Sequence, residues 1–421
     1  MRIALFGPSL FRLAVGLRSN PTNSVVWYVD KNSFILQREL RDEPLINDRD
    51  FCRIDHWYSK DALIFPSNSK IVNELRKFDV VLTADLGALF GPYLDKPYIF
   101  LPAGGDLTSA PFPIRSSAIR KSGIAGTRNI KDLLLASVIG PQMRTGIKSA
   151  TSIWLWSGPF KPWLLALDRL GIRAPTESEC LPAAIDTEIF KPKLSKDNPS
   201  KELTIFFPSR IMSSTSNFLK ETGQWKQNDI FIKGVAEASQ AGVKINLLLI
   251  KHSISPDEEN INELLHDLNI SEITQWVQPD NEIGFSWRQL AKIYQESDIV
   301  ADDFGAGWFG TVALEAAACG KPVFNRVDEI AMNALYKDGH PFLTHDKPDT
   351  IAKALIELQD KNVRKEKGIA SQKWAFKHHN SDEVARRCQK MLETLLAKLD
   401  CKKPQNLKAE KNSFQDTEKD N

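Results

Sequence analysis

Residues Asp302–Val323 read DDFGAGWFGTVALEAAACGKPV. A strand, DIVAD, runs into a loop holding Gly305, Gly307 and Gly310, and a helical run then opens near Thr311. Glycines let the backbone approach a ligand closely, and a helix N-terminus offers free N–H groups with a partial positive charge. Such a loop suits an anion, and a diphosphate would sit there. Glu315 falls about one turn inside the helix, where it can accept hydrogen bonds from a ribose. Gly320 is placed as a C-cap, and Pro322 leads into the next strand. A tight strand–helix turn with no ligand and a solvated glutamate satisfies the same spacing.

Outward from this segment, short apolar runs alternate with helical patterns. Upstream, Arg2–Phe6, Ser24–Val29, Asp79–Thr83, Pro97–Leu101 and Thr151–Ser157 read as buried strands. Around the quoted stretch the strand candidates are Leu203–Phe207, Ile245–Ile250, Thr274–Gln278, Asp298–Asp302 and Lys321–Asn325, with helices over Ile230–Gln240, Glu258–Asp267 and Thr311–Cys319. Strands apolar on both faces suit parallel sheets covered by helices. Between the two groups, Phe190–Glu202 is polar with two prolines and reads as a linker. The chain thus divides into an α/β domain over 1–190, a linker over 191–202, a second α/β domain over 203–370, a helix over 371–399 and a disordered tail over 400–421. Two doubly wound domains in tandem place the main cleft between them.

Composition bounds the function. The 421 residues carry a net charge of only +2, which argues against a dedicated nucleic-acid binder. Five scattered cysteines without a C-x-x-C pair argue against a disulfide framework or a zinc site and fit a reducing cytosol. The N-terminal apolar stretch is broken by Gly7, Pro8, Ser9 and Arg12, unlike a signal peptide, and no run of about 18 apolar residues predicts a membrane span. The seven histidines do not cluster, and no metal site is expected. Residues 111–150 hold seven Lys or Arg against one Asp around DLLLASVIG, which reads either as a solvated helix face or as a face resting on an anionic membrane.

The string from Glu315, EAAACGKPV, resembles the signature of retaining GT-B glycosyltransferases of the large "glycosyl transferases group 1" family. That signature has a Glu, a glycine-containing loop, a second Glu, and then A-x-A-C-G-x-P-V. Ala183–Pro192, AAIDTEIFKP, resembles the family's P-N-G-V-D-x-x-x-F-x-P, which closes the first domain. PSRI at Pro208–Ile211 matches the place of a family Arg, and WKQNDIFIKGVAEA resembles the family's K-G-x-D-x-x-x-x-A helix start.

The resemblance implies a GT-B fold of two Rossmann-like domains facing across a cleft. It implies a retaining, hexosyl-type transfer from a nucleotide diphosphate sugar to a glycan, lipid-linked or other hydroxyl acceptor. Arg210 and Lys226 would clamp the diphosphate, with Lys220 and Lys233 as alternatives to Lys226. Glu315 would bind the ribose, and the backbone at Phe309, Gly310 and Thr311 would cradle phosphate. Two departures stand out. The family's first Glu, which touches the transferred sugar, falls on Gly307, with Asp302 and Asp303 as nearby carboxylates. The family's sugar-contacting His is missing from Pro102–Asp106, where Gly104, Gly105 and Asp106 are the candidate acceptor or sugar contacts; Asp106 equally suits a turn cap. Gly7 begins the candidate acceptor loop after the first strand. No cofactor and no metal are expected beyond the nucleotide-sugar donor. Peripheral membrane contact through 111–150 and a cytoplasmic location complete the reading. A non-catalytic GT-B binding module, or a nucleotide-sugar epimerase on the same fold, is the alternative.

Overall fold

The computed structural model describes residues 1–35, 40, 42–112, 130–156, 158–193, 202–212, 217–251, 257–279 and 284–401. Most of the expected linker (194–201), the centre of the basic region (113–129), the start of the SSTSNFLKETGQ insertion (213–216) and the tail from 402 lie outside the described residues.

The first sheet holds β1 (Arg2–Phe6), β2 (Ser24–Asp30), β3 (Cys52–Asp55), β4 (Val80–Thr83), β5 (Tyr98–Phe100) and β6 (Ser152–Ile153). All pairs are parallel, in the order β3-β2-β1-β4-β5-β6. A two-stranded ribbon follows, β7 (Leu155–Trp156) with β8 (Cys180–Leu181). The second sheet holds β9 (Leu203–Phe207), β10 (Ile245–Ile250), β11 (Thr274–Val277), β12 (Ile299–Ala301) and β13 (Val323–Phe324). It too is parallel, in the order β11-β10-β9-β12-β13. Both are doubly wound sheets with the first strand of each at the centre. Ile3, Ala4, Leu5 and Phe6 of β1 are all fully buried, because helices cover both faces.

The helices used below are α1 (Phe11–Arg18), α2 (Ile130–Ser149), α3 (Asn228–Gln240), α4 (Trp287–Glu296), α5 (Thr311–Ala318), α6 (Pro348–Glu357), α7 (Lys361–His379) and α8 (Ser381–Cys401).

Three sequence expectations need correction. The strand expected over Thr151–Ser157 is divided: Ser152–Ile153 pairs with β5, whereas Leu155–Trp156 pairs with Cys180–Leu181. The physical reason is that β5 ends at Phe100, so the chain beyond Ile153 finds its next partner elsewhere. The edge strand Cys52–Asp55 was not expected; Arg53 and Ile54 are exposed, and so polar a segment has no apolar run to read. The helical pattern over 371–399 is two helices, broken at Asn380. There Ile185 N–H donates to His379 O at 2.8 Å and Ser381 N–H to Ile185 O at 3.1 Å. A bridge to the other crossover of the chain takes the backbone that a continuous helix would have used. The final helix α8 then returns to the first domain, where Val384, Ala385, Cys388 and Leu392 join the core beneath α1.

Candidate functional site

In a doubly wound sheet the loops after the two strands at the winding reversal splay apart and open a crevice at the carboxyl edge. β1 and β4 flank that point in the first sheet, and β9 and β12 in the second. The loop after β9 carries Arg210, and the loop after β12 carries Asp302 to Gly310. The loops after β1 and β4 carry Gly7, Ser9 and Asp85.

Arg210 and Lys226 are brought together by a buried asparagine. Asn228, at the start of α3, is fully buried. Its Oδ1 accepts from Met212 N–H at 2.8 Å, and its Nδ2 donates to Arg210 O at 3.2 Å. Lys226 N–H donates to Met212 O at 2.9 Å, so the two loops are laced side by side. Gln227 between them adopts φ 54°, the left-handed region where the resembled family has glycine. Of the three candidate lysines, only Lys226 lies in this arrangement: Lys220 stacks its ammonium 4.6 Å over Trp225, and Lys233 pairs with Asp229 at 3.0 Å.

The charges differ in their freedom. Among the described residues the Arg210 guanidinium has no carboxylate partner, and burial pushes it below its ordinary pKa. Lys226 Nζ lies 2.5 Å from Asp303 Oδ2. Burial alone would depress that ammonium, but Asp303 and Asp302 outweigh it and hold the pKa above its ordinary value.

The glycine loop is built around the same two carboxylates. Asp303 Oδ1 accepts from Gly305 N–H at 2.9 Å and Ala306 N–H at 2.8 Å. Asp302 takes a short hydrogen bond from Ser209 Oγ and a long one, 3.4 Å, from Gly310 N–H. Both are therefore engaged in shaping the loop, which leaves them little capacity to replace the missing first Glu. Gly305 is required by close approach: a Cβ there would lie 2.2 Å from Trp225 O. Gly307 adopts φ +77°, and a Cβ on it would meet open space. The Phe309 ring is buried against Trp308, at 5.0 Å, and Tyr336, so only its backbone faces the loop, whereas Gly310 and Thr311 are exposed. The N-cap of α5 is Gly310, which has no side chain to cap the helix, and an N-terminus of this kind suits an anion. Glu315 is 7% exposed, and its Oε2 accepts from Tyr294 O–H at 3.1 Å. Tyr294 on α4 is fully buried between Phe190 and Phe206.

In the first domain, Gly7 O accepts from Trp27 Nε1 at 2.8 Å, which fixes the start of the β1 loop. Gly104 and Gly105 open a short helix, Gly105–Thr108. Asp106 acts as the cap of this turn: its two oxygens accept from the N–H groups of Ala103, Gly104, Leu107 and Asp85, between 2.7 and 3.0 Å. Asp85 is the more available carboxylate. It sits at φ 53°, a backbone conformation uncommon outside glycine, with Ser9 Oγ 3.4 Å away. Burial, then the nearby Asp106, pushes the Asp85 pKa up to about 7. Burial likewise raises Asp106 to about 6, opposed by its backbone hydrogen bonds.

A raised folded-state pKa means that the native protein holds protons that the unfolded chain releases. The associated stability is present below the unfolded pKa, about 4, and is lost as pH rises through about 7. Asp85→Asn is therefore expected to raise the thermal midpoint by more at about pH 8 than at about pH 5. Equal shifts in melting curves at the two pH values would show that Asp85 does not titrate in this window.

The sequence reading missed Ser209, Asn228, Tyr294 and Asp85. Ser209 and Asn228 stand within the PSRI and WKQND strings, so their positions carried a signal; Tyr294 and Asp85 carried none. Among the described residues no group of three or more His, Cys, Asp or Glu could hold a metal ion, and no helix is long and apolar enough to cross a membrane.

No family model matches the chain. A curated relative, the D-inositol 3-phosphate glycosyltransferase of Segniliparus rotundus, is 29% identical over 155 residues, covering 35% of this chain and 31% of that protein. The chain thus matches less than a third of that relative's length. Among solved structures, the sucrose-phosphate synthase of Thermosynechococcus elongatus superposes with a TM-score of 0.61 at 14% identity, over 94% of this chain and 100% of that one. A glycosyltransferase of Rickettsia africae gives 0.60 at 13% identity, over 94% and 98% of the two chains. HepE of Anabaena, solved in complex with UDP-glucose, gives 0.56 at 14% identity, over 94% and 100%. The chain therefore has the two-domain GT-B fold on which glycosyltransferases are built.

Proposed function

We propose that the protein transfers a hexosyl-type sugar from a nucleoside diphosphate sugar to a hydroxyl acceptor, with retention at the anomeric carbon. One observation carries this reading: Arg210, Lys226 and the uncapped N-terminus of α5 converge at the switch point of the second sheet, with Glu315 one turn inside the helix. The neighbours solved with UDP-glucose and UDP, and the curated glycosyltransferase relative, support it. The diphosphate rests on the α5 N-terminus, and the ribose on Glu315. When the bond from the anomeric carbon to the diphosphate oxygen breaks, Arg210 and Lys226 stabilise the negative charge that develops. The acceptor oxygen bonds to the same face, and its proton passes to the departing phosphate oxygen. The two cationic side chains take the place of a metal.

The acceptor, a glycan or a lipid-linked hydroxyl compound, lies on the first-domain loops near Gly7, Gly104 and Gly105. Peripheral membrane contact through 111–150 belongs to the same proposal. Gly307 favours a second reading, a binding module without turnover, because the carboxylate that would touch the transferred sugar is missing.

The test is thermal stabilisation by a panel of UDP-, GDP-, ADP- and CMP-sugars, with Glu315→Ala as control. One nucleotide should raise the midpoint by a few degrees, since ligand at about 100 times Kd adds about 2.7 kcal/mol, and Glu315→Ala should abolish the shift. No shift with any donor overturns the donor site. A shift without turnover supports the binding module.

A further inference from the structure

Arg12 ties the two domains together at a point that leads to the donor carboxylate. It stands on α1 in the first domain, yet its guanidinium lies 3.6 Å from the ring centroid of Trp287, the first residue of α4 in the second. Phe11 places its ring 6.1 Å from the same indole. Arg12 Nη1 donates to Asp186 Oδ2 at 2.6 Å, in the segment through which the chain leaves the first domain. Its Nη2 lies 3.7 Å from Glu43 and has no hydrogen-bond partner among the described residues, although the residue is only 9% exposed. Burying a guanidinium with donors unsatisfied is unfavourable, so the residue must be held by something besides its ion pairs. The contact over the Trp287 ring is that element: a desolvated cation over an indole face is among the stronger contacts of its kind.

From Trp287, α4 runs about two turns to Tyr294, whose hydroxyl holds Glu315. A helix this short moves as a rod. Ser286, fully buried, closes a capping box with Gln289 and fixes the end that Arg12 grips. Glu315 is among the charges that act on Arg12, so the two ends of the relay are electrostatically close.

We propose that Arg12 and Trp287 are positioning residues: by their contact across the domain boundary they set the attitude of α4, and through Tyr294 the orientation of the Glu315 carboxylate toward the donor ribose. The idea rests on the donor reading of Glu315. It makes donor affinity depend on whether the domains are engaged, through contacts that touch no substrate.

The experiment is calorimetric titration of the full chain with UDP, GDP and ADP, for wild type, Glu315→Ala, Arg12→Gln, Arg12→Lys, Trp287→Leu and the Arg12→Gln/Trp287→Leu double variant. Arg12→Gln and Trp287→Leu are each expected to weaken binding of the preferred nucleotide about tenfold, and the double variant no more than either single, because both break one contact. Arg12→Lys, which keeps the charge for Asp186 but not the guanidinium over the ring, should fall between. With the donor sugar, KM should rise while kcat changes little. Lower thermal stability with nucleotide affinity within about twofold of wild type would assign the pair a purely structural role and overturn the proposal. Affinity insensitive to Glu315→Ala would overturn the donor reading instead, and the relay with it.

Discussion

Arg210→Ala is expected to lower kcat/KM for the nucleotide sugar by about 10²–10³-fold, the usual effect of removing one preorganised donor from a developing negative charge. The thermal midpoint should hardly move. The two halves of this expectation have one cause. Among the described residues no carboxylate pairs with the Arg210 guanidinium, and Asn228 fixes the Arg210 backbone, not its side chain. The side chain therefore does little for the fold, and its desolvated charge is free for an anion. Arg210→Lys should recover part of the rate, since the charge remains but the two-pronged geometry is lost. Steady-state kinetics beside melting curves decide the matter. Turnover nearly unchanged in Arg210→Ala would show that the clamp is wrongly placed.

Lys226→Ala should behave differently, although both residues belong to the same proposed clamp. Its ammonium is committed to Asp303, whose side chain is only 3% exposed. Removing the lysine leaves a buried carboxylate uncompensated, at a cost of about 3–5 kcal/mol. Asp303 also holds the N–H groups of Gly305 and Ala306, so the glycine loop should loosen as the carboxylate seeks water or a proton. Denaturant unfolding of three proteins tests this: wild type, Lys226→Ala, and Lys226→Met with Asp303→Asn. The double variant removes both charges while Asn keeps an acceptor for the loop, and most of the lost stability should return. If it is no more stable than Lys226→Ala, the ion pair is not what holds the loop. The contrast between Arg210 and Lys226 also predicts that the arginine is the more sensitive probe of chemistry and the lysine of folding.

These contrasts mark where sequence reading stops. The doubly wound fold was legible because strands covered on both faces are near-continuous apolar runs: RIALF at Arg2–Phe6, LTIFF at Leu203–Phe207 and INLLLI at Ile245–Ile250 coincide with β1, β9 and β10. The glycine loop and Glu315 were legible because a strand, a loop and a helix start lie within one short segment. Each of those signals is local. What the sequence could not express is contact between distant segments. The polar edge strand Cys52–Asp55 exists only because β2 offers it a partner. The break at Asn380 exists only because Ile185 of the first crossover lies beside it. That Asp106 takes four N–H groups, from its own turn and from Asp85, is decided by a partner about twenty residues away as well as by its neighbours. That Lys226, of the three candidate lysines, pairs with Asp303 while Asn228 laces its loop to that of Arg210 is a matter of contacts between distant segments. Arg12 gave no sign of touching the second domain. The sequence by itself determined the central strands of the two sheets and the glycine loop that leads into a helix, because apolar period and glycine placement are signals within a few residues. Only the tertiary structure decided which charges are free and which are bound, because a buried charge is defined by the desolvation and partners that distant parts of the chain supply.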